Sequence, residues 1–379
     1  YGATGFTGRL VAEYLASQYG GDVAWAMAGR SKDKLEAVRD EIGAPSDTPL
    51  IVADAGDPAS LADMAKQARA VITTVGPYQI YGEPLVKACV EAGTDYVDLC
   101  GEPAWMADII RDYAEPAKAS GARVVLSCGF DSIPFDLGVL FLQEHAKEKT
   151  GAPLARVKGR VRSMKGTFSG GTAASFAETM KRAASEPEVI EVLKDPFALC
   201  PGFTGPKQPH GAKPLYEDDL GSWSAPFIMA AINVKNVHRS NYLAAHAYGE
   251  DFVYDEMMLA GPGEKGEQTA NAIADDRSMA DNPPKPGEGP SREERENGYY
   301  EVMFTGEAPD GTRLTASVKG DRDPGYGSTS KMITEAALAL VLDVDRSRTE
   351  GGVWTPAPAL GQALIKRLED RAGLAFTME

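Results

Sequence analysis

Cysteine is scarce in this chain of 379 residues: there are four, none of them in a CxxC pair. A disulfide framework is not expected at this length, so we expect a reducing, cytoplasmic environment. Histidine is equally rare, and its four positions lack the spacing typical of metal ligands. The sequence therefore predicts no metal site. The cysteines are Cys89, Cys100, Cys128 and Cys200.

Positive charge is also in short supply, with 39 Lys and Arg against 55 Asp and Glu and a net charge of −16. Such an acidic surface repels phosphate backbones, so nucleic acid is not an expected partner. No apolar run reaches the roughly 18 residues of a membrane span, and no signal peptide is visible. The phosphate-binding pattern GxxxxGK[ST] is missing as well, which argues against phosphoryl transfer.

What the chain does have is a regular alternation of short apolar runs and amphipathic segments over its first 130 residues. This pattern is typical of a parallel sheet covered by helices on both faces. The predicted strands are 23–28, 49–53, 70–75, 96–99 and 123–128, and the predicted helices are 8–19, 32–42, 60–67, 84–92 and 105–120.

The pattern changes near residue 150. Residues 154–163 alternate apolar and polar side chains, and two further such runs, 299–305 and 312–319, flank a turn sequence. A hairpin in an antiparallel sheet is therefore expected. Residues 261–297 are polar and rich in Gly and Pro, which predicts a long loop or mobile flap. An apolar helix over about 330–342 is expected to pack back on the first part.

These patterns predict an α/β fold, with a doubly wound (Rossmann) parallel-sheet domain and an inserted α+β domain that contains an antiparallel sheet. We divide the chain, whose length suggests about two domains, into three parts. Residues 1–135 form the doubly wound domain, 136–328 the inserted substrate or dimerisation domain, and 329–379 are C-terminal helices that return to the first domain.

The glycines of residues 2–8 form a GxxGxxG pattern at the start of the alternating series. Gly2 permits the turn after a strand, Gly5 lets the backbone approach a pyrophosphate, and Gly8 allows close packing of helix and strand. A tight strand–helix turn would need the same glycines, but the context favours dinucleotide binding. A strand normally precedes this loop, and only its last residue, Tyr1, is present. We therefore expect that the first strand is truncated and that the natural protein begins several residues earlier.

The end of the second predicted strand indicates which dinucleotide binds. It reads Gly29-Arg30-Ser31-Lys32, followed by Lys34, with no carboxylate for a free ribose 2′-hydroxyl. Arg30 can pair with a 2′-phosphate, so NADP is favoured over NAD. The alternative is an ordinary solvated helix start.

Further candidate cofactor contacts follow the later strands, because ligands of open α/β sheets bind at the carboxyl ends of the strands. For each residue, loop geometry is an equally good explanation. The complete set of predicted cofactor-binding residues is Gly2, Thr4, Gly5, Phe6, Thr7, Gly8, Arg30, Ser31, Lys34, Asp54, Val75, Gly76, Pro77, Cys100 and Gly129.

Several motifs resemble those of the saccharopine dehydrogenase-like oxidoreductases: GATGFTGR at 2–9, GRS at 29–31, GPY at 76–78 and GFDSIP at 129–134. Within that family, PGEGPS at 286–291, GDRDPGY at 320–326 and GGVWTP at 351–356 are similar to the trans-acting enoyl reductase branch. The resemblance runs nearly end to end. It implies NADPH-dependent reduction of a carbon–carbon double bond in a polyketide- or fatty-acyl-type substrate. Other members of the wider family act on amino acids.

Reduction of a conjugated double bond needs a hydride at the β-carbon, a donor for the carbonyl oxygen and an acid for the α-carbon. Tyr78 and Tyr326 are candidate acids or donors, and Lys331, about one turn after Tyr326, could lower the pKa of its hydroxyl. Asp131 follows the last strand of the first domain and is a further candidate. The alternatives are amphipathic tyrosines at a domain seam and a helix N-cap.

Two other functions remain open at this point. An amino-acid-linked dehydrogenase of the saccharopine type would need converging cations to grip carboxylates, for which Arg160, Arg162, Lys165 and Lys181 are the candidates. A non-catalytic NADP-binding or lipid-associated scaffold is the other. The aromatic-rich stretches 196–203 and 223–232 could line a pocket for an acyl chain, but core packing or a homodimer interface would explain them equally well.

Overall fold

The computed structural model describes residues 1–167, 170–281 and 287–379. Pro286, the first residue of the PGEGPS motif, lies outside these ranges. The strands are β1 (Met27–Gly29), β2 (Leu50–Val52), β3 (Ala70–Ile72), β4 (Asp95–Val97), β5 (Arg123–Val125), β6 (Arg156–Lys165), β7 (Leu215–Glu217), β8 (Ser222–Pro226), β9 (Val253–Gly261), β10 (Tyr299–Glu307), β11 (Arg313–Gly320), β12 (Gly352–Trp354) and β13 (Leu374–Met378).

The helices account for most of the remaining chain, and three short π-helical turns (Pro324–Ser328, Ala339–Asp343 and Leu368–Ala372) lie among them. The helices are α1 (Phe6–Tyr19), α2 (Lys32–Glu41), α3 (Pro58–Lys66), α4 (Tyr78–Tyr81), α5 (Glu83–Ala92), α6 (Pro103–Ser120), α7 (Ile133–Thr150), α8 (Gly170–Ser185), α9 (Pro187–Lys194), α10 (Ala230–Leu243), α11 (Gly263–Ala274), α12 (Ser278–Asp281), α13 (Arg292–Glu296), α14 (Thr329–Leu338) and α15 (Pro356–Arg367).

The first sheet is parallel and has its two halves on either side of the chain start. One half is β12-β5-β4-β3 and the other is β1-β2. The Tyr1 carbonyl accepts a hydrogen bond from Thr74 N (3.1 Å), and Gly2 N donates to Ala28 O (3.0 Å), so residues 1 and 2 lie between β3 and β1. The predicted doubly wound parallel sheet is confirmed, and the glycine loop lies where its strand order reverses, the usual ligand site of such sheets.

The C-terminal segment joins both sheets. β12 pairs with β5 in the parallel sheet, and β13 pairs antiparallel with β11 in the second sheet. Only helices were predicted for this segment, and two strands of three and five residues were missed. Helix α14 packs against α1, where the hydroxyls of Tyr14 and Tyr19 both donate to the buried carboxylate of Glu335.

The second sheet has seven strands in the order β13-β11-β10-β6-β9-β8-β7. The predicted hairpin is present as β10 and β11, which pair from Glu307 opposite Arg313 to Tyr300 opposite Gly320. Because β6 and β9 run parallel, the sheet is mixed rather than wholly antiparallel. Helix α7 covers one face, and Gly138 allows it to come close, since a Cβ there would lie 2.3 Å from the Phe304 ring.

The prediction of a long loop over 261–297 was wrong for much of that range. Helix α11 spans its first part and packs against β8 and β9, with Ala270 fully buried. Helix α13 begins at a capping box, in which Ser291 and Glu294 bond to each other's backbone N–H groups. Composition indicated a loop because these helices are short and mostly polar, whereas caps and one small buried face suffice to hold them.

Candidate active-site cleft

The glycine loop adopts a conformation that suits the diphosphate of a dinucleotide. Gly2 has φ +90°, and a Cβ on Gly8 would lie 2.1 Å from the Gly2 carbonyl oxygen, so both positions need glycine. Helix α1 then starts at Phe6 with no side-chain cap at Gly5. In the part of the chain that the structure describes, the N–H groups of Phe6 and Thr7 have no acceptor, which leaves them available to an anion.

The predicted 2′-phosphate site retains two free cations. Arg30 and Lys34 are exposed and form no ion pair with any described residue. The Ser31 hydroxyl oxygen caps α2 by accepting from Lys34 N at 3.4 Å, so its hydrogen can still point toward a ligand. Thr4 is exposed in the glycine loop, and Asp54, at the next strand end, accepts from Gly56 N at 2.8 Å in a local turn.

A cleft of about 580 Å³ opens beside the glycine loop. The carboxyl ends of the parallel strands form its floor, and the first turns of α8 and α10 form its opposite wall. Among the described lining residues, Asp131 is the one that carries a charge; the others are apolar, hydroxyl-bearing or glycine. They include Thr7, Gly76, Tyr78, Gly129, Phe130, Phe176, Met180, Ile228, Met229, Ile232 and Tyr326.

Asp131 is partly buried in this cleft, beside Gly101. No backbone or side-chain group of the described chain hydrogen-bonds its carboxyl group, and burial raises the pKa of Asp131 to about 7. A substantial fraction of the carboxyl groups is therefore protonated near neutral pH. This is the state in which the group can give a proton to a ligand.

Tyr78 also lines the cleft, but its hydroxyl points into the sheet. The hydroxyl donates to Thr73 O at 3.2 Å and accepts from Leu99 N at 3.0 Å. Burial, followed by the nearby carboxyl group of Asp98, raises the pKa of Tyr78 well above its usual value. This geometry argues against the predicted role as an acid, because the proton is already shared with the backbone.

Tyr326 and Lys331 do not form the predicted pair. The Tyr326 hydroxyl donates to Glu288 O at 3.2 Å and accepts from Gly170 N at 3.3 Å, and its ring meets that of Phe6 edge-on at 4.7 Å. The Lys331 ammonium group instead lies 3.9 Å from Asp321 and does not line the cleft. Burial lowers the pKa of Lys331, but the lysine cannot act on Tyr326 from this position.

Three more predicted contacts support the loop rather than face a ligand. The Cys100 thiol is fully buried, so it cannot touch a ligand in the cleft, and burial raises its pKa well above the usual value. Val75 lies under Gly2, at 2.8 Å from where a Cβ would be. Pro77 precedes α4, and Gly129 packs between Leu99 and Thr329.

Sequence reasoning missed the wall that α8 forms. The residues Ala173, Phe176, Ala177 and Met180 follow helical spacing, which could have revealed this helix. The buried carboxylate of Glu102, which accepts a hydrogen bond from Ser175 on α8 at 2.6 Å, was also missed. Its only signal was its place after a strand, beside the predicted site.

Four features bear on the compartment and on other chemistry. All four cysteines are free and buried. Over the described ranges, no three His, Cys, Asp or Glu side chains converge as metal ligands. No helix in these ranges combines the length and apolar content that crossing a membrane requires.

Comparison with known proteins agrees with this geometry. Residues 1–125 match the saccharopine dehydrogenase NADP binding domain. Two proteins named trans-acting enoyl reductase, from Mycobacterium ulcerans and Mycobacterium tuberculosis, are each 39% identical over 97% of this chain and 94% of their own length. A further Mycobacterium tuberculosis protein, provisionally given the same name, is 43% identical with the same coverage.

Among solved structures, apo saccharopine dehydrogenase (L-Glu forming) of Saccharomyces cerevisiae has a similar fold, with a TM-score of 0.55 over 98% of both chains at 12% identity. With the motif match and the curated relatives, the loop, the free cations and the cleft have one consistent explanation. The chain belongs to the saccharopine dehydrogenase-like oxidoreductases, in the trans-acting enoyl reductase branch, and is an NADP-dependent oxidoreductase.

Proposed function

We propose that this protein uses NADPH to reduce a carbon–carbon double bond conjugated to a thioester carbonyl, on a polyketide- or fatty-acyl-type substrate. The observation that carries this proposal is the cleft, which joins the cofactor loop to an apolar wall and contains a single charged group among its described residues. An acyl chain needs such a wall, and a conjugated double bond needs one acid nearby.

Asp131 is the proposed proton donor. The bound cofactor supplies the hydride for the β-carbon. Transfer of a proton from the Asp131 carboxyl group to the α-carbon then completes the saturated product and leaves a carboxylate. Because no described group bonds this carboxyl and burial disfavours its ionised form, it regains a proton readily from water when the cleft opens.

We propose supporting roles for the other candidates. Tyr326 holds Phe6, and with it the first turn of α1, at the diphosphate position. Tyr78 fixes the ends of β3 and β4 through its two backbone contacts. Backbone atoms of Gly2, Thr4, Gly5, Phe6, Thr7 and Gly8 surround the diphosphate, while Arg30, Ser31 and Lys34 bind the 2′-phosphate. Asp54, Gly76 and Gly129 lie along the remaining path of the cofactor.

The cleft does not favour an amino-acid substrate. Such a ligand carries carboxylates that need cations, yet no Lys or Arg lines the cleft in the described part of the chain. Arg160 and Arg162 are occupied by Glu217 and Glu301 on the second sheet. Lys181 pairs with Glu178.

The decisive experiment is steady-state oxidation of NADPH with 2-enoyl thioesters of several chain lengths, and with saccharopine as the competing substrate. We expect turnover with the enoyl thioesters and formation of the saturated product. Tight NADPH binding without turnover of any acceptor would contradict an enzymatic function and favour a scaffold.

We propose further that the protein acts in lipid metabolism in a reducing, cytoplasmic compartment, which the four free thiols suit. A homodimer is also proposed, in which the edge strand β7 meets a second copy. Leu215 and Tyr216 on that strand are exposed. Light scattering of the purified protein tests the assembly.

A further inference from the structure

Helix α8 presents an apolar stripe to the cleft. Phe176 and Met180 are one turn apart, line the cleft and are 44% and 49% exposed. Large apolar side chains that remain open to solvent in a concave site usually await a ligand that covers them. Their position therefore decides how much of an apolar substrate the cleft can bury.

The helix that carries this stripe has little core of its own. Its buried apolar residues are Ala173 and Ala183, and Ala183 packs with Ala104 and Val189 at the C-terminal end. Burial of two methyl groups contributes little to fixing a helix of 16 residues. The placement of the N-terminal half must depend on other contacts.

Polar contacts supply that placement, on the stripe next to the apolar one. The Ser175 hydroxyl donates to Glu102 Oε1 at 2.6 Å. One turn later, Gln79 Nε2 donates to Thr179 Oγ1 at 3.1 Å. Ser175 and Thr179 directly precede Phe176 and Met180, so these two hydrogen bonds set the rotation of α8 about its own axis.

Glu102 is the centre of this arrangement. It occupies the N-cap position of α6 but makes no cap bond there. Its carboxylate, 1% exposed, instead accepts from the backbone N–H groups of Tyr78 and Gln79, both at 2.8 Å. No Lys or Arg of the described chain pairs with it. A buried carboxylate without a cation depends on its hydrogen bonds, which makes the Ser175 hydroxyl a strongly held partner.

We propose that Glu102 is a positioning residue, which fixes α8 through Ser175 so that Phe176 and Met180 form the wall against the hydrocarbon chain of the substrate. This inference rests on the proposed function and assigns the selection of long acyl chains to one contact. Glu102 and Ser175 touch no reacting atom in this role.

The test is Ser175→Ala, which removes the hydroxyl and keeps a good helix-forming residue. The KM for 2-dodecenoyl-CoA is expected to rise about ten-fold, the loss typical of one hydrogen bond to a charged group. The KM for crotonyl-CoA, whose chain is too short to reach the wall, should rise much less. The Kd for NADPH should stay within two-fold of that of the wild type. Ser185→Ala is the matched control, because that hydroxyl bonds only to carbonyls of its own helix.

Equal KM changes for the two thioesters, or an equal loss of NADPH affinity, would overturn the proposal. If the wild-type enzyme reduces neither thioester, the proposed function fails, and amide hydrogen exchange decides the positioning role separately. Ser175→Ala should then speed exchange in the first half of α8 and leave α6 unchanged. Unaltered exchange in α8 would overturn that role.

Discussion

At the scale of single residues, Asp131 carries the strongest chemical expectation. If its protonated form is the acid, kcat/KM should be constant at low pH and fall as pH rises through about 7. Asp131→Asn should lower kcat about 10²- to 10⁴-fold and abolish this pH dependence, as measured by initial rates between pH 5 and 9.

The same variant should not unfold more easily. Burial raises the pKa of Asp131 above the value in the unfolded chain, so ionisation weakens the folded state as pH rises toward and beyond 7. Asp131→Asn should therefore equal or exceed the wild type in stability at pH 8. Asp370→Asn, at an exposed ion pair, is the control. A fully active Asp131→Asn enzyme would exclude Asp131 as the donor.

Arg30 is the second residue with a sharp expectation. Arg30→Ala removes a free cation from the 2′-phosphate position and should raise the Kd for NADPH about 10- to 100-fold, with little change for NADH. Fluorescence titration measures both. Lys32→Ala, on the exposed first turn of the same helix, is the control. An equal loss for the two cofactors would refute the assignment.

How far the sequence reached at this scale depended on where each side chain turns. The glycine loop was predictable because its requirements are local: one positive φ and one close backbone approach. The directions of the Tyr78 hydroxyl and the Lys331 ammonium group were not. Each is decided by a partner distant in sequence or on the opposite side of a helix, namely the backbone at Leu99 and the carboxylate of Asp321.

At the scale of elements, the segment 287–296 crosses the glycine loop. A Cβ on Gly289 would lie 2.5 Å from the Phe6 ring, and that ring cannot yield easily because Tyr326 and Arg295 flank it at 4.7 and 5.5 Å. Gly289→Ala should destabilise the protein by about 1–3 kcal/mol and weaken NADPH binding. Chemical denaturation and titration measure the two effects.

Gly21→Ala provides the matched control, because nothing lies within 4 Å of a Cβ at that position. Wild-type stability in Gly289→Ala would show that this segment moves away from Phe6 without cost. Composition alone could not reveal the crossing. The same polar, glycine-rich sequence that predicted a free loop contains the one glycine that lets the segment lie flat on an aromatic ring.

At the scale of the whole molecule, the alternating first half was predictable, since each strand and helix there announces itself by its own period. The C-terminal strands were not, because three or five residues such as β12 become a strand only against a partner more than 200 residues away. We propose to keep the boundaries at 135 and 328, with the qualification that the last segment belongs to both sheets.

That shared segment has a consequence for synthesis of the protein. A chain leaving the ribosome can form the glycine loop and most of the first sheet early, yet β12 and β13 emerge last. Neither sheet acquires its final edge strand until then. The nascent chain therefore exposes two unpaired sheet edges at once, and release from the ribosome is the moment at which both are covered.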